Sequence, residues 1–305
     1  MHKLRIALDW TPNTNHTGFF VALEKEFYKG QGIDLEIISP LTDNYALTPA
    51  KRLENGEVDF AILPSESVLS FFTKDRPIHF RAVAALLQED MSAIVTLKST
   101  GIDRPGLLAG KTYASYKARY EDRIVEQMIR NDGSSGAINV VYPAKLGIWN
   151  TLLSGEFSAT WIFTNWEGVE ARNKGVDLNY FRLGDYGIPY GYSPVLVARD
   201  ADIEANRQLY TKFLSATRDG FLYATTNSTE SAAILKKHVT PHDAAAIDLI
   251  QSQQETNPAY GDRQSWGIMK TDRWASFIDW LYTNKLIDEK IDVSLLFTNE
   301  LIAAS

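Results

Sequence analysis

Short polar and aromatic segments follow the predicted strands of this chain. The first of them combines the most side-chain types that can bind a ligand. Residues 9–16 combine Asp9, Trp10, Asn13 and His16 with other amide and hydroxyl groups. The indole offers a flat stacking surface, and the carboxylate, amide and imidazole offer hydrogen-bond donors and acceptors beside it. We predict that this segment holds a flat polar ligand. In the alternative, Asp9 and Asn13 form a turn and Trp10 lies in the core.

The second segment, Pro64–Ser67, opens a predicted helix. Ser65 or Ser67 is a natural N-cap, and the first helical turn also directs free N–H groups at whatever lies in front of it. Glu66 can accept hydrogen bonds from an amino group of a ligand. We predict Ser65 and Glu66 as ligand contacts, with capping as the alternative role for one of the serines.

A third segment places two cations at the start of a helix predicted over 120–130. Tyr116, Lys117 and Arg119 precede this helix. Cations are unfavourable at a helix N-terminus, and a bound anionic group would relieve that cost. The acidic residues of the first helical turn can balance the charge instead, so anion binding and internal neutralisation both stay open for Lys117 and Arg119.

Two further segments contribute amide and aromatic side chains. Asn165 and Trp166 follow a predicted strand, and Tyr190 and Tyr192 lie in a loop that contains glycines. Trp166 can form the wall opposite Trp10, and the two tyrosines can both stack and donate hydrogen bonds. We predict all four residues of these segments as ligand contacts.

The sequence carries no recognised catalytic or metal-binding signature. The motifs of the nucleophile elbow, the phosphate-binding loop, the dinucleotide fold, the zincins and the EF-hand are all absent. Cys is absent as well, and the five His residues are scattered along the chain. We therefore predict no catalytic residue, no metal and no cofactor.

Composition narrows the class of partner. The chain has 305 residues and a net charge of −7, with charges of both signs well mixed. Nucleic-acid binding needs concentrated Lys and Arg, so we expect a small-molecule ligand, no nucleic acid and a monomer. The sequence enters a strand at once, without a signal-peptide core. Either an export signal was removed, or the protein is cytoplasmic.

The candidate segments must be positioned by strands and helices, and these alternate along the chain. Strands predicted over 4–8, 33–38 and 58–63 alternate with helices over 18–29 and 48–54. This order predicts a parallel sheet with right-handed crossovers. In such sheets ligands lie beyond the carboxyl ends of the strands, where the candidate segments begin.

The same pattern returns about a hundred residues later. Residues 153–162 echo residues 53–62, since both end a helix at Gly, continue with Glu and enter an apolar strand. Crossing strands over 81–98 and 186–199 then predict an inserted second unit. The predicted fold class is α/β, with two doubly wound lobes and a hinge of two crossing strands. Lobe I spans 1–88 and 195–305, with a C-terminal helical cover, and lobe II spans 89–194.

The helical cover is predicted from its periodicity. Residues 203–226 form one long helical stretch. Trp274, Phe277, Ile278, Leu281 and Tyr282 have the spacing of one apolar helix face. We expect that face to pack on the first lobe.

The chain resembles the thiamine-pyrimidine-precursor binding proteins, a branch of the periplasmic type II solute-binding proteins that serve ABC importers. The most specific likeness is the opening motif at 8–16. Further matching segments occur along the whole chain, at 20–22, 29–34, 56–59, 185–189 and 280–287.

The resemblance implies specific contacts. Trp10 and Asn13 would contact the pyrimidine with Asp9 nearby, and the loop at Tyr190 and Tyr192 would close over it. It also implies a periplasmic or lipid-anchored protein with an ABC permease as partner. Proteins of the branch place an acid in that closing loop. This chain has none there, and Glu66 could substitute for it.

The branch also contains enzymes that synthesise the pyrimidine phosphate from pyridoxal phosphate and a histidine of their own chain. By position, those enzymes have a Lys in place of Leu63, the consumed His in place of Ser67, and a Cys-rich loop in place of Gly187–Tyr192. A Schiff base needs an amine, so we predict a binding protein without activity. The alternatives are a cytoplasmic enzyme of thiamine pyrimidine biosynthesis and a binding protein for another solute, such as a sulfonate.

Overall fold

The computed structural model describes residues 1–73, 79–135, 137–143 and 149–303, excluding the side chains of 149–151. The strands of these residues are β1 His2–Ala7, β2 Ile33–Ile38, β3 Phe60–Leu63, β4 Phe80–Ala85, β5 Ser92–Leu97, β6 Thr112–Ala114, β7 Asn139–Val141, β8 Ala159–Phe163, β9 Leu178–Phe181 and β10 Val195–Arg199.

The α-helices of the described residues complete the element order. They are α1 Thr17–Glu24, α2 Phe27–Gly30, α3 Pro49–Glu54, α4 Ser65–Phe72, α5 Glu121–Asn131, α6 Trp149–Ser154, α7 Glu167–Asn173, α8 Asp200–Ala205, α9 Arg207–Thr226, α10 Ser228–Lys236, α11 Pro241–Ala246, α12 Leu249–Tyr260, α13 Thr271–Thr283 and α14 Glu300–Ala303. Among the residues that the structure describes, no helix combines the length and apolar character needed to cross a membrane.

The strands form two five-stranded sheets with the same plan, in the orders β2-β1-β3-β10-β4 and β7-β6-β8-β5-β9. In the first, β1 pairs in parallel with β2 and β3, while β10 is antiparallel to both of its neighbours. In the second, β6 pairs in parallel with β7 and β8, while β5 is antiparallel to both of its neighbours. The predicted α/β fold with two lobes is confirmed.

The predicted parallel arrangement holds for β1, β2 and β3, whereas the crossing strands β5 and β10 run antiparallel to their neighbours. Each of them arrives from the other lobe and enters its sheet at the edge where the parallel strands end, so it must run against them. The first sheet takes its strands from 2–85 and 195–199, and the second from 92–181. The lobe boundaries at 88 and 194 stay predictions.

The helical cover packs tightly against α1, the helix that follows the 9–16 segment. A Cβ on Gly220 of α9 would lie 2.1 Å from the carbonyl oxygen of Gly18, and one on Gly18 would lie 2.0 Å from the Phe221 ring. These two glycines let the helix axes approach closely, which fixes the start of α1 and with it the preceding loop.

Three local predictions need correction. The helical stretch predicted over 203–226 breaks at Asn206, between α8 and α9. On α13 the predicted apolar face is buried except for Tyr282, which is 45% exposed. Neither Ser65 nor Ser67 caps α4: its N-cap is Pro64, and Ser65 is already its first residue.

Candidate functional site

A cavity of about 260 Å³ lies between the lobes, where strands of both sheets end. Its wall comes from the segments after β1, β3, β6 and β8 and from the crossing segment before β10. Because the carboxyl ends of the parallel strands of both sheets face this gap, the chain topology alone brings these distant segments together. The volume is below the roughly 300–1,000 Å³ of drug-sized sites, so it suits a small ligand.

Aromatic rings dominate the wall of this cavity. The Trp10 and Tyr116 rings, one from each lobe, meet edge to face with their centroids 5.6 Å apart. On another side, Trp161 lies 5.5 Å from Tyr190. The aromatic residues of the lining are Trp10, Tyr116, Trp161, Phe163, Trp166 and Tyr190. Such rings offer stacking faces to a flat ligand from both lobes.

The charged groups of the wall are all acidic. The four carboxylates are those of Asp9, Glu66, Glu121 and Glu167, and no Lys, Arg or His occurs among the described residues that line the cavity. Anionic groups therefore find no counter-charge there, while amino groups and protonated ring nitrogens find acceptors.

Of these four acids, Glu66 is the most available for hydrogen bonds to a ligand. It is 2% exposed, and its Oε2 has no hydrogen-bond partner among the described residues. Burial, with a smaller contribution from the charge of Glu121, raises the pKa of Glu66 from 4.5 to about 8. Near neutral pH the carboxyl therefore carries its proton and presents one O–H donor and one C=O acceptor.

Glu121 is held by its own loop. It accepts hydrogen bonds from Tyr113 Oη at 2.7 Å, Tyr116 N at 3.0 Å and Ala118 N at 3.1 Å. Burial raises the pKa of Glu121, and these donors counteract part of that rise. The carboxylate of Glu121 thus already occupies the start of α5, where an anionic ligand was considered for Lys117 and Arg119. The arrangement favours internal neutralisation of this segment.

Glu167 is the third buried acid of the wall and begins α7. Its Oε2 accepts a hydrogen bond of 3.0 Å from the backbone N–H of Phe163. Burial raises the pKa of Glu167 to about 7, and backbone hydrogen bonds limit that rise. A weakly basic ligand nitrogen could therefore exchange a proton with this carboxyl near neutral pH.

Asp9 is oriented by His16, which lies behind it. His16 is fully buried, and its Nε2 lies 2.8 Å from Asp9 Oδ1. Its Nδ1 accepts the backbone N–H of Asn13 at 3.3 Å, so Nε2 is the nitrogen that donates to Asp9. Asn13 lines the cavity, and its Oδ1 also accepts the backbone N–H of Asn15 at 2.8 Å.

Of the predicted contacts, Asp9, Trp10, Asn13, Glu66, Tyr116, Trp166 and Tyr190 line the cavity. The other predicted contacts, His16, Ser65, Lys117, Arg119, Asn165 and Tyr192, do not. Lys117 Nζ lies over the Tyr142 ring and the Arg119 guanidinium over the Tyr120 ring. Tyr192 Oη accepts a 2.9 Å hydrogen bond from the backbone N–H of Lys270.

Sequence reasoning missed part of the wall. The residues not predicted are Asn15, Pro64, Ala118, Glu121, Trp161, Ile162, Phe163, Glu167 and Ser193. All of them lie within or next to the segments that were singled out, so the same strand-end argument could have included Glu121 and Glu167. Nothing in the sequence indicates that Trp161, inside a strand, faces the cleft.

Comparison with known proteins places the chain in a family. A family model described as "NMT1/THI5 like" matches residues 13–231, well over half of the chain. The chain belongs to the NMT1/THI5-like family. The predicted resemblance to the pyrimidine-precursor branch is thereby confirmed.

Similar proteins in this family include binding proteins and enzymes. The chain is 23% identical to the formylaminopyrimidine-binding protein of Halalkalibacterium halodurans, over 95% of this chain and 88% of that protein. It is also 23% identical to the 4-amino-5-hydroxymethyl-2-methylpyrimidine phosphate synthase of Legionella pneumophila, over 98% of this chain and 92% of that protein. Family membership alone does not separate the two roles.

A solved structure confirms the fold. The alkanesulfonate-binding protein SsuA of Xanthomonas axonopodis pv. citri superposes with a TM-score of 0.73, covering 98% of each chain at 12% identity. At this identity the likeness concerns the fold alone: two lobes around a cleft.

At two positions the resemblance implies a different residue in the enzymes, a Lys for Leu63 and a His for Ser67. Leu63 is the last residue of β3 and is 5% exposed, and Ser67 lies in the first turn of α4. Neither lines the cavity. Leu63 has no nitrogen with which to form a Schiff base.

Proposed function

We propose that this member of the NMT1/THI5-like family is a solute-binding protein that closes over a small, unphosphorylated aminopyrimidine and performs no chemistry on it. The observation that carries this proposal is the cavity wall, which combines six aromatic rings with four carboxylates and, among its described residues, no cation. A flat ring is accommodated by stacking, and its amino groups find acceptors.

The protonated Glu66 carboxyl supports a particular mode of recognition. An aminopyrimidine presents a ring nitrogen that accepts and an exocyclic amine that donates. A neutral carboxyl presents the complementary pair, an O–H and a C=O. If the ring nitrogen takes the proton instead, the same two hydrogen bonds form as an ion pair, so the pairing survives either proton position.

The relatives support a binding protein for this class of ligand. One of them is named a formylaminopyrimidine-binding protein. By analogy with the solute-binding fold, the proposal includes an ABC permease as partner and an extracytoplasmic location. Both are inferred from the family and the fold, not from a residue of this chain.

The two rival functions require chemistry that the described wall lacks. A pyrimidine synthase that uses pyridoxal phosphate must hold a phosphate and form a Schiff base, and the wall offers neither a cation nor an amine for these tasks. A sulfonate-binding protein needs donors or cations around the sulfonate. The wall has no cation among its described residues, and whichever of its acids are ionised would repel the sulfonate.

Calorimetry with a panel of ligands tests the proposal. We expect hydroxymethyl aminopyrimidine or formylaminopyrimidine to bind, and pyridoxal phosphate and an alkanesulfonate not to bind. Trp10→Ala should lower the aminopyrimidine affinity about tenfold or more, because a stacking face is lost. Trp280, which lies on α13 outside the wall, provides the control variant Trp280→Phe. Tight binding of the sulfonate or of pyridoxal phosphate alone would refute the proposal.

A further inference from the structure

Asn165 is buried between the lobes and turned away from the cavity. It has no exposed surface, and it lies in the turn between β8 and α7 of the second lobe. Its Nδ2 donates to Asn15 Oδ1 at 2.9 Å, to Thr256 Oγ1 at 2.8 Å and, more weakly, to Thr14 Oγ1 at 3.3 Å. All three acceptors belong to the first lobe.

The backbone of Asn165 is part of the same arrangement. Ser252 of α12 donates its hydroxyl to the carbonyl oxygen of Asn165 at 2.5 Å. Ser252 and Thr14 are themselves joined by a 2.9 Å hydroxyl–hydroxyl hydrogen bond, and Thr256 donates to the carbonyl oxygen of Ser252 at 2.7 Å. One residue of the second lobe is thus embedded in a connected network of the first.

This network reaches the cavity through one side chain. Asn15, which accepts from Asn165, also lines the cavity. Asn165 itself does not line it. A change at Asn165 can therefore affect the ligand indirectly, through the position of Asn15, of its chain neighbour Trp166, or of one lobe against the other.

Two other contacts between the lobes, both made by α7, are exposed. Arg172 pairs with Glu255 at 2.6 Å with both side chains more than a third exposed, and Asn173 Nδ2 donates to the carbonyl oxygen of Ala246 at 3.3 Å. Exposed pairs contribute little to stability because water competes for them. Buried polar groups must instead find their partners, since an unpaired one is costly.

We infer that Asn165 is a positioning residue that latches the two lobes in one closed geometry and sets ligand affinity through the equilibrium between open and closed forms. Closure in another register would separate the buried Asn165 Nδ2 from its three acceptors, so these hydrogen bonds favour one closed arrangement. The observed affinity for a ligand that binds only the closed form falls in proportion to the fraction of the protein in that form. The statement about affinity rests on the proposed function, whereas the statement about closure does not.

The variant Asn165→Ala tests the latch in two independent measurements. Calorimetry with hydroxymethyl aminopyrimidine and with formylaminopyrimidine should show the same loss of affinity for both, about tenfold, as expected for losing one or two buried hydrogen bonds. Stopped-flow measurements should assign the loss mainly to faster dissociation. Small-angle scattering of the ligand-free protein should show a larger radius of gyration than for the wild type.

Two further variants keep the test decisive. Thr256→Val removes one acceptor of the latch with little change of shape, and should give the same pattern at smaller size if Asn165→Ala does not fold. Asn179→Ala is the matched control, because Asn179 donates to Thr96 and Ile102 within the second lobe. It should change neither the scattering nor the affinity for either ligand.

The outcomes separate the latch from the proposed function. A loss that differs severalfold between the two ligands would show that Asn165 contacts the ligand, and would overturn the inference. Unchanged ligand-free scattering of both latch variants would overturn it as well. If the wild type binds neither pyrimidine, the proposed function fails, while the scattering still decides whether Asn165 holds the lobes together.

Discussion

Glu66 and Glu121 occupy equivalent places in the two lobes and yet have different roles. Each lies in the first turn of a helix that follows a strand of its sheet, Glu66 in α4 and Glu121 in α5. Both line the same cavity, and burial raises the pKa of both. Glu121 accepts three hydrogen bonds from its own lobe. Glu66 Oε2 has no partner in the described part of the chain.

The difference arises from the loops before the two helices. The loop before α5 contains Lys117 with a positive φ of 64°, and its backbone N–H groups point inward, where Glu121 accepts them. Before α4, by contrast, the N–H of Ser65 is already bound to the carbonyl oxygen of Tyr192 at 2.9 Å. Glu66 therefore finds no backbone donor. A buried acid with its own donors stabilises a loop, whereas one without them is available to a ligand.

Removal of Glu121 is the most severe test of this comparison. Glu121→Ala leaves one buried and two part-buried donors without their acceptor, so the free energy of unfolding should fall by about 3 kcal/mol. Chemical denaturation measures this change. Glu126→Ala, on the same helix with a surface pair to Arg123, is the control and should cost less than about 1 kcal/mol. Equal stabilities of the two variants would mean that the Glu121 hydrogen bonds are not structural.

Removal of Glu66 should instead affect the ligand. Glu66→Ala should lower the aminopyrimidine affinity about thirtyfold at pH 7, because a charge-assisted or paired hydrogen bond is lost. Glu66→Gln keeps one donor and one acceptor in the same shape, so calorimetry should find it within about threefold of the wild type. If Gln is as damaging as Ala, the ionised carboxylate is the form that binds.

The pH dependence of stability tests whether the buried Glu66 carboxyl is protonated near neutral pH. Its pKa is about 8 in the folded protein against an ordinary 4.5, so the folded state binds more protons between these values and stability falls as the pH rises through them. Glu66→Gln cannot titrate. Relative to the wild type, it should gain on the order of 4 kcal/mol by about pH 9 and nothing near pH 4. Thermal unfolding of both proteins across this pH range, without ligand, measures this difference in stability. If the two stabilities change in parallel with pH, the Glu66 carboxyl is in contact with water.

The strand-end argument predicted much of the cavity wall because it depends on topology alone. Asp9, Glu66, Tyr116 and Trp166 come from different parts of the chain, and all follow strands whose carboxyl ends face the gap between the lobes. Any α/β chain with this strand order must bring such positions together. The alternation of strands and helices was sufficient to predict that these strands are parallel and end at one edge of the sheet.

The direction in which each side chain points could not be predicted. Asn165 and Trp166 are adjacent, yet only Trp166 lines the cavity, because the approach of α12 decides where the amide is buried. Trp161 lies inside β8, and its exposure to the cleft depends on which face of the second sheet the lobes share. Both side-chain directions depend on how the lobes pack against each other. The residue pattern within one segment carries no information about that packing.

The cations beside Glu121 provide the test of the Glu66–Glu121 comparison with the smallest expected effect. If Glu121 already satisfies the loop before α5, Lys117 and Arg119 have no anion left to recognise. Lys117→Asn, chosen because Asn tolerates a positive φ, and Arg119→Gln should each change the aminopyrimidine affinity by less than about twofold. Calorimetry at low and high salt should give nearly equal affinities, because none of the described residues of the cavity wall is a cation. A large loss that grows at low salt would instead mean that these two side chains reach an anionic group in the cleft, and that Glu121 balances only part of the charge at the start of α5.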